Sequence, residues 1–367
     1  MNSDFTTVSR RTFLAGSAAA AAIGTGLVRA ETSPEKRVGF ALVGIGTLTM
    51  GQLLPAFAKC KLARPVALVS GHPDKARDQA NKHGIDPKNI YNYENFESLK
   101  DNPAVDVVYI VLPNGMHAEY TIRAAKLGKH VLCEKPMANS VAECQAMIDA
   151  CNAAQRKLMI AYRLHYEPLT QKAIEIARSL APIKQITAEA GFNIGDPTQW
   201  RLNRKLAGGG SLMDIGIYAL NAVRYLSGEE PTDVSAISYS TPDDPRFKEV
   251  EESIAFELKF KSGLVASCLS TYGFGCNRFR VYGTRGQLES EPYWSYQGNR
   301  CWRPRGRDRE EVQVEPVNHF ASEMDHFSEC VLNDKVPSTT GEEGLKDLKV
   351  MMAAYESAQT GKTIQIK

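Results

Sequence analysis

"VGFALVGIGTLTMG", residues 38–51, decides how the rest of the chain is read. The apolar run Val38–Gly46 has the length and composition of a buried strand, and it ends in Gly44-Ile45-Gly46. A helix is expected to begin near Gly51. Without Cβ atoms the backbone can turn sharply between the two elements and lie against a pyrophosphate, whose charge meets the helix N-terminus. Thr49 stands where the third glycine of the usual pattern would be, so the turn alone is a moderate signal. Its weight comes from the elements around it.

From Arg37 onward, short apolar runs alternate with amphipathic stretches. The runs are Val38–Gly46, Val66–Ser70, Ile90–Tyr93, Val105–Leu112, His130–Cys133 and Leu158–Tyr162. Helical stretches lie between them at Gly51–Cys60, Pro73–His83, His117–Leu127 and Val141–Ala154. Asn139-Ser140 ahead of Val141, with Glu143 following, reads as a helix start. Such alternation builds βαβ units and a parallel sheet. After about Pro168 one helix (Leu169–Leu180) leads into longer alternating strands at 184–193, 233–240, 253–260, 264–271 and 279–282. Turns such as Lys261-Ser262-Gly263 join neighbours, so this second sheet is expected to be mainly antiparallel. A helix over Leu212–Leu226 is inserted, and helices at His319–Leu332 and Glu343–Ala358 close the chain. The fold class is therefore α/β, with a parallel, doubly wound N-terminal domain and a C-terminal α+β domain. The expected divisions are a leader at 1–30, a cofactor domain at 31–165 and a substrate and oligomerisation domain at 166–367, whose last helices can pack back on the first.

The chain has 367 residues, 43% hydrophobic and 23% charged, with net charge +2 from 44 basic and 42 acidic residues. Removing Arg10, Arg11, Arg29 and Asp4 with the leader leaves 41 charges of each sign. Such a balance carries no footprint for nucleic acid or an anionic membrane. Eight cysteines show no C-x-x-C pair and no histidine at zinc-site spacing, so no metal site is expected. The leader holds the apolar run Phe13–Val28, which is weakly hydrophobic, interrupted by Gly16, Gly24 and Gly26, and short of the roughly 20 residues of a membrane anchor. Ser9-Arg10-Arg11-Thr12-Phe13-Leu14 resembles the twin-arginine export motif, and Val28-Arg29-Ala30 reads as a cleavage site. Export to the periplasm by the twin-arginine translocase is the expectation. That route carries proteins folded in the reducing cytoplasm, which favours buried free thiols over disulfides.

The second run ends Val69-Ser70-Gly71-His72-Pro73-Asp74-Lys75. A carboxylate here would hold the ribose 2′-hydroxyl of NAD. Ser70 removes the charge that would repel a 2′-phosphate and Lys75 supplies a positive one, so NADP is favoured. The fifth run leads into Cys133-Glu134-Lys135-Pro136, at the edge where ligands bind in open α/β sheets. A lysine there can donate to a reacting hydroxyl or carbonyl oxygen. In "GDPTQWRLNRKLAGGGSLMDIGIYALN", residues 195–221, Gly208–Gly210 precede Ser211, a candidate cap. Asp214 and Tyr218 share one helix face, and a phenol beside a carboxylate suits proton transfer to a sugar oxygen. Spacing alone favours a plainer reading, a helix whose Asp and Tyr bond to neighbouring backbone. Trp200 can be a platform for a sugar and Arg201 a clamp, or they are one core aromatic and one surface charge.

Gly44-x-Gly46, Leu112-Pro113-Asn114-x-x-His117 and Glu134-Lys135-Pro136 together resemble the glucose–fructose oxidoreductase/inositol dehydrogenase (Gfo/Idh/MocA) family from about Val38 to the C-terminus. Ser70, Lys75 and Asp214-x-x-x-Tyr218 are most similar to its glucose–fructose oxidoreductase branch, since many relatives carry histidine in place of the tyrosine. The resemblance implies a Rossmann domain and an open-faced second sheet that often mediates homo-oligomers. It also implies a tightly held, non-dissociating NADP, reduced by an aldose and reoxidised by a second sugar in ping-pong fashion. By the same resemblance Lys135 orients the substrate hydroxyl, Tyr218 exchanges its proton and Asp214 holds both. Gly44, Gly46, Thr47, Leu48, Ser70, Lys75, Tyr93, Leu112, Asn114, His117, Glu134, Lys135, Arg163, Trp200, Arg201 and Tyr296 then contact the cofactor. Lys135, Arg163, Trp200, Asp214 and Tyr218 contact the sugar. One departure is a short stretch, Glu31–Arg37, where that branch carries a long arm. Export combined with a nicotinamide site points to a cofactor recycled in place. The alternatives are a redox-neutral glycosidase of the same family, an ordinary NADP-dependent sugar dehydrogenase, and a non-catalytic sensor.

Overall fold

The computed structural model describes residues 37–367; the expected leader and its export motif lie outside them. Six strands form a parallel sheet: β1 (Val38–Val43), β2 (Ala63–Val69), β3 (Ile90–Tyr91), β4 (Val107–Ile110), β5 (His130–Glu134) and β6 (Leu158–Ala161). Their order is β3-β2-β1-β4-β5-β6, doubly wound, with the reversal between β1 and β4. The helices on this sheet are α1 (Leu54–Phe57), α2 (Pro73–His83), α3 (His117–Lys126) and α4 (Val141–Ala153). Every residue of β1 is buried, as expected for a strand covered on both faces. At the α4 start Ser140 is the N-cap, its Oγ accepting from Glu143 N–H (3.2 Å), while the Glu143 carboxylate reaches back one residue further to accept from Asn139 N–H (3.1 Å). The first helix departs from expectation. It begins at Thr47 and passes through a π-helical turn, Thr49–Leu53, before α1.

Beyond β6, α5 (Pro168–Ser179) leads into β7 (Ile183–Gly191). Next come α6 (Arg204–Ala207), a π-helical segment Leu212–Gly216, and α7 (Ile217–Ser227). The strands that follow are β8 (Pro231–Tyr239), β9 (Ser253–Phe260), β10 (Val265–Thr271), β11 (Cys276–Gly283), β12 (Gly286–Ser290), β13 (Cys301–Arg305) and β14 (Asp308–Glu311). The chain closes with α8 (His319–Leu332), α9 (Gly341–Thr360) and β15 (Ile364–Gln365). The nine strands run β14-β13-β12-β11-β7-β10-β9-β8-β15. Pairing is antiparallel except between β10 and β7, where the connection through β8 and β9 returns β10 beside β7 in the same direction. In β9, Ile254, Phe256, Leu258 and Phe260 face the core, and the residues between them face outward.

Two apolar layers meet at the first sheet. One is continuous with the core under the nine-stranded sheet; the other packs Phe40 and Leu42 against Phe320, Met324 and Phe327 of α8. The Asp325 carboxylate fixes α8 to the start of β2 by accepting the N–H groups of Lys61, Leu62 and Ala63 at 2.7–3.1 Å. A buried polar knot ties α7 to α9. Arg224 donates to Asp347 (2.6 Å), Glu230 (2.7 Å) and Glu343 (2.9 Å), and Asn221 donates to Asp347 (2.6 Å). All eight cysteines are free thiols, and only Cys60 and Cys276 reach partial exposure. Among the described residues no helix is long and apolar enough to cross a membrane.

Candidate active site

A cleft of about 890 Å³ opens beside the reversal of strand order, between the turn after β1 and the π-helical segment. At Gly44 the backbone φ is +96°, and a Cβ would stand 2.5 Å from the Val111 carbonyl oxygen. Only glycine fits there. Gly44 N–H donates to Val69 O (3.0 Å), and the buried Thr49 hydroxyl donates to Gly44 O (2.6 Å). Thr49 thus clasps the turn from the position the third glycine would occupy. Gly44, Ile45, Gly46, Thr47 and Leu48 all line the cleft, as do Ser70, His72 and Lys75. Ser70 Oγ accepts from His72 N–H (3.1 Å), and Lys75 Nζ reaches back to Ile45 O at 3.4 Å. Glycine turn, free cation and missing carboxylate fit a dinucleotide that bears a 2′-phosphate. Tyr93, Leu112 and Asn114 complete this wall; Tyr93 packs edge-on against Tyr120, and Asn114 Nδ2 donates to Ala207 O (2.9 Å).

His117 is not on that wall. It is fully buried, with Nδ1 at 2.9 Å from Pro136 O and Nε2 at 2.8 Å from Leu112 O. Burial lowers its pKa. Its ring ties the Leu112 and Pro136 loops together, and it reaches the cleft only through them.

At the other end, Lys135 follows β5, and its Nζ donates to the Asp214 carbonyl (2.6 Å), stands 3.6 Å from Asp214 Oδ1 and lies 4.8 Å above the Tyr218 ring. The π-helical segment widens the turn between Asp214 and Tyr218, and both residues line the cleft. Burial opposes the Asp214 charge, yet Arg201, Lys135 and the Tyr272 hydroxyl together hold its carboxyl below the usual range. Arg201 Nε donates to Asp214 Oδ2 (2.8 Å) and stacks over Trp200; Tyr272 donates to the same oxygen (3.1 Å). Arg163 Nε donates to the Tyr218 oxygen (3.0 Å), and its remaining nitrogens are held by the Trp294 and Ser295 carbonyls. With that lone pair engaged, the Tyr218 O–H is free to point at a substrate. Trp294 stacks on Tyr218 (5.8 Å between centroids, 20°), and Tyr296 lies under Arg163, its phenol pushed up to about 12 by burial. Glu134 lines the cleft beside Lys135 and accepts from the Tyr109 hydroxyl (2.8 Å).

Ser211 does not cap the helix. Its backbone is already helical, and its buried hydroxyl has no partner. The Glu251 carboxylate does that work, accepting from Gly210 N–H (2.8 Å), Leu212 N–H (3.0 Å) and the Tyr355 hydroxyl (2.9 Å). A Cβ at Gly210 would collide with the Glu251 carbonyl, so the glycine is what allows this approach. Sequence reasoning also missed Tyr272 and Trp294, which arrive from the bend after β10 and the loop after β12. No local pattern marks either one.

The described cleft therefore joins a dinucleotide cradle to an acid–base cluster of lysine, carboxylate and phenol. Known proteins resemble this chain across both of its sheets. Residues 38–162 match the GFO_IDH_MocA model, an oxidoreductase family with an NAD-binding Rossmann fold, and residues 175–366 match that family's C-terminal alpha/beta domain. An aldose-aldose oxidoreductase structure from Caulobacter crescentus, complexed with glycerol, is 47% identical with a TM-score of 0.88, over 90% of this chain and 100% of that one. D-xylose 1-dehydrogenase [NADP(+)] of Haloarcula marismortui is 32% identical over 92% of this chain and 95% of its own length. The 1,5-anhydro-D-fructose reductase of Ensifer adhaerens is 27% identical over 89% and 98%. With both domain models matched in order and a nicotinamide-type cleft between them, this chain belongs to the GFO_IDH_MocA oxidoreductase family.

Proposed function

We propose that this chain is a periplasmic sugar:sugar oxidoreductase that keeps its NADP bound, oxidising an aldose to its lactone and reducing a second sugar, fructose or another aldose, to the alditol. The observation that carries the reading is the meeting, in one cleft, of a cradle suited to a 2′-phosphate and the Lys135–Asp214–Tyr218 cluster. A bound nicotinamide would supply hydride acceptance and return; the remaining work falls to side chains. Gly44–Leu48 would hold the pyrophosphate, and Ser70 and Lys75 the ribose phosphate. Lys135 Nζ donates to the reacting oxygen and fixes its direction. With Arg163 donating to its oxygen, Tyr218 takes the hydroxyl proton as phenolate in the first half-reaction and, as phenol, returns one to the carbonyl oxygen in the second. Asp214 anchors Arg201 and faces Lys135, which keeps both cations in place. The 47% identity with an aldose-aldose oxidoreductase supports an aldose in both roles.

The test is to release and weigh any co-purified dinucleotide, then follow nicotinamide absorbance as aldoses and acceptor sugars are added in turn. Reduction by one sugar and reoxidation by another, without added cofactor, is the expected result. A protein that binds no dinucleotide, or whose bound dinucleotide no aldose reduces, overturns the proposal. The D-xylose dehydrogenase relative supports a second reading, an ordinary NADP-dependent dehydrogenase; cofactor lost on dialysis and restored as a free co-substrate would favour it. Export is tested by replacing Arg10 and Arg11 with lysine, which should leave the protein in the cytoplasm. We infer a homo-oligomer assembled through the outer face of the nine-stranded sheet, where Ile237 is 77% exposed. Sedimentation of Ile237→Arg against the parent checks that.

A further inference from the structure

Residues 291–300, between β12 and β13, form neither helix nor strand, yet they build one side of the reaction end. The Trp294 ring stacks on Tyr218, and the Trp294 and Ser295 carbonyls accept from Nη2 and Nη1 of Arg163. A turn with no ladder of its own still needs partners for its N–H groups. Two asparagine side chains supply them. Asn277 Oδ1 accepts from Tyr293 N–H (2.8 Å) and Trp294 N–H (3.0 Å), while its Nδ2 donates to Ser295 Oγ (3.0 Å). Asn299 accepts from Ser295 N–H (2.9 Å) and donates to Ser295 O (3.1 Å) and to Glu167 Oε1 (2.7 Å), just ahead of α5. The two are anchored differently. Asn299 belongs to the turn and moves with it, whereas Asn277 lies in β11, registered with Ala190 of β7. Along β11 it shares a face with Phe279 and Val281, both buried, so a polar residue stands where the strand otherwise turns apolar side chains inward.

We propose that Asn277 is a positioning residue for the proton exchange at Tyr218, acting through the backbone of residues 293–295 and through Arg163. Its kinetic consequence rests on the sugar:sugar reading given above. The guanidinium is a rigid planar fork. With Nη1 and Nη2 held by the carbonyls of adjacent residues, its plane is set, and Nε is left directed at the Tyr218 oxygen, 3.0 Å away. A charge-assisted bond of this kind weakens steeply with angle and distance. If the turn drifts, both carbonyls go with it, the fork swings, and the phenol oxygen loses its donor. The Trp294 ring, on the same turn, slides off the phenol at the same time. Asn277 prevents this by tying the turn to the nine-stranded sheet with three hydrogen bonds from one short side chain. Asparagine suits the task because it accepts at one atom and donates at the other within a single planar group.

The experiment follows reduction of the bound nicotinamide by an aldose in the full-length protein and in Asn277→Ala. Misplacing a reacting group by about 1 Å costs up to about 100-fold, so the reduction step should slow by about 10–100-fold. Half-saturation by the sugar should move by less than about threefold, because the lost interaction belongs to the reaction step rather than to binding. Asn277→Asp keeps an acceptor for both N–H groups and lets the Ser295 hydroxyl donate instead, and it should recover most of the rate. In the Tyr218→Phe background the oxygen that Arg163 serves is gone. There Asn277→Ala should slow the residual reaction by less than about twofold, since residues acting as a unit are not additive. A general loosening of the fold would slow both backgrounds alike. Equal losses in the two backgrounds, no recovery with Asn277→Asp, or an unchanged rate in Asn277→Ala overturns the positioning role. Asn277→Ser, a shorter acceptor, is judged by the same criteria where Asn277→Ala does not fold. If no aldose reduces the cofactor in the parent protein, the functional reading fails by itself. The positioning role is then read from a crystal structure of Asn277→Ala, in which Arg163 Nε should have left the Tyr218 oxygen; a contact kept near 3.0 Å overturns it.

Discussion

At the cradle end of the cleft, the lining comes from two short spans, Gly44 to Leu48 and Ser70 to Lys75, each a strand end running into a helix. At the reaction end, Lys135, Arg163, Asp214, Tyr218, Tyr272 and Trp294 converge from stretches separated by up to 159 positions of chain, and side chains make nearly every contact. The first end is rigid because a turn of that shape has few alternatives. The second is rigid because its members hold one another. Damage should therefore stay local at the cradle and spread at the reaction end.

The largest expected effect separates chemistry from binding. Lys135→Met and Tyr218→Phe should each lower kcat by about 10²–10⁴-fold, the usual contribution of a positioned proton donor, with dinucleotide content unchanged. Loss of the dinucleotide in either variant would show that the two ends are not separable. Arg224→Ala tests the knot beneath α7. Removing one partner of a buried, hydrogen-bonded ion pair costs about 3–5 kcal/mol, read as a lower urea midpoint. Reduced kcat in the still-folded fraction would show strain passing along α7 to Tyr218. At the cradle, Ser70→Asp places a carboxylate against the 2′-phosphate. Preference for NADP over NAD should fall by roughly 10–100-fold, a cost of about 1.4–2.7 kcal/mol, with the sugar KM unmoved. Trp294→Leu removes the stack on Tyr218 and should cost about 1 kcal/mol in kcat/KM.

A further effect concerns acid. His319 and His165 are buried, with pKa values lowered by desolvation to about 3 and about 4, against 6.5 for the free side chain. The unfolded chain binds their protons first, so their contribution is present above pH 6.5 and lost as pH falls toward 4. Each neutral buried histidine adds a slope of about 1.4 kcal/mol per pH unit in that window. Urea midpoints at pH 7 and pH 5 measure the difference, and His319→Gln should flatten it.

The same contrast explains what the sequence made legible. The strands of the first sheet could be read because each is a continuous apolar run bounded by turn residues, and α2 over Pro73–His83 begins at its own proline and ends at Gly84. Ser70 and Lys75 could be read because charge at the end of β2 acts on a ligand directly. Tyr272 could not, since nothing in "STYGFG" at 270–275 says that its hydroxyl meets a carboxylate 58 residues earlier. The strands β12 to β14 escaped for another reason. The stretch Gly286–Glu311 is rich in charge, and ion pairs such as Arg305–Glu310 cross from β13 to β14, so no alternating apolar pattern marks the strands in the sequence. Ser211 misled because a serine before a helix suggests a cap, whereas Glu251 had already supplied one from 39 residues away.

The burial of the thiols has a consequence for a protein proposed to fold in one redox environment and work in another. A thiol attacks a disulfide only as thiolate, and burial pushes Cys144, Cys151 and Cys301 up to about 12. At neutral pH these sulfurs carry almost no nucleophile. In an oxidising medium these three would then behave as small apolar side chains rather than as partners in disulfide exchange.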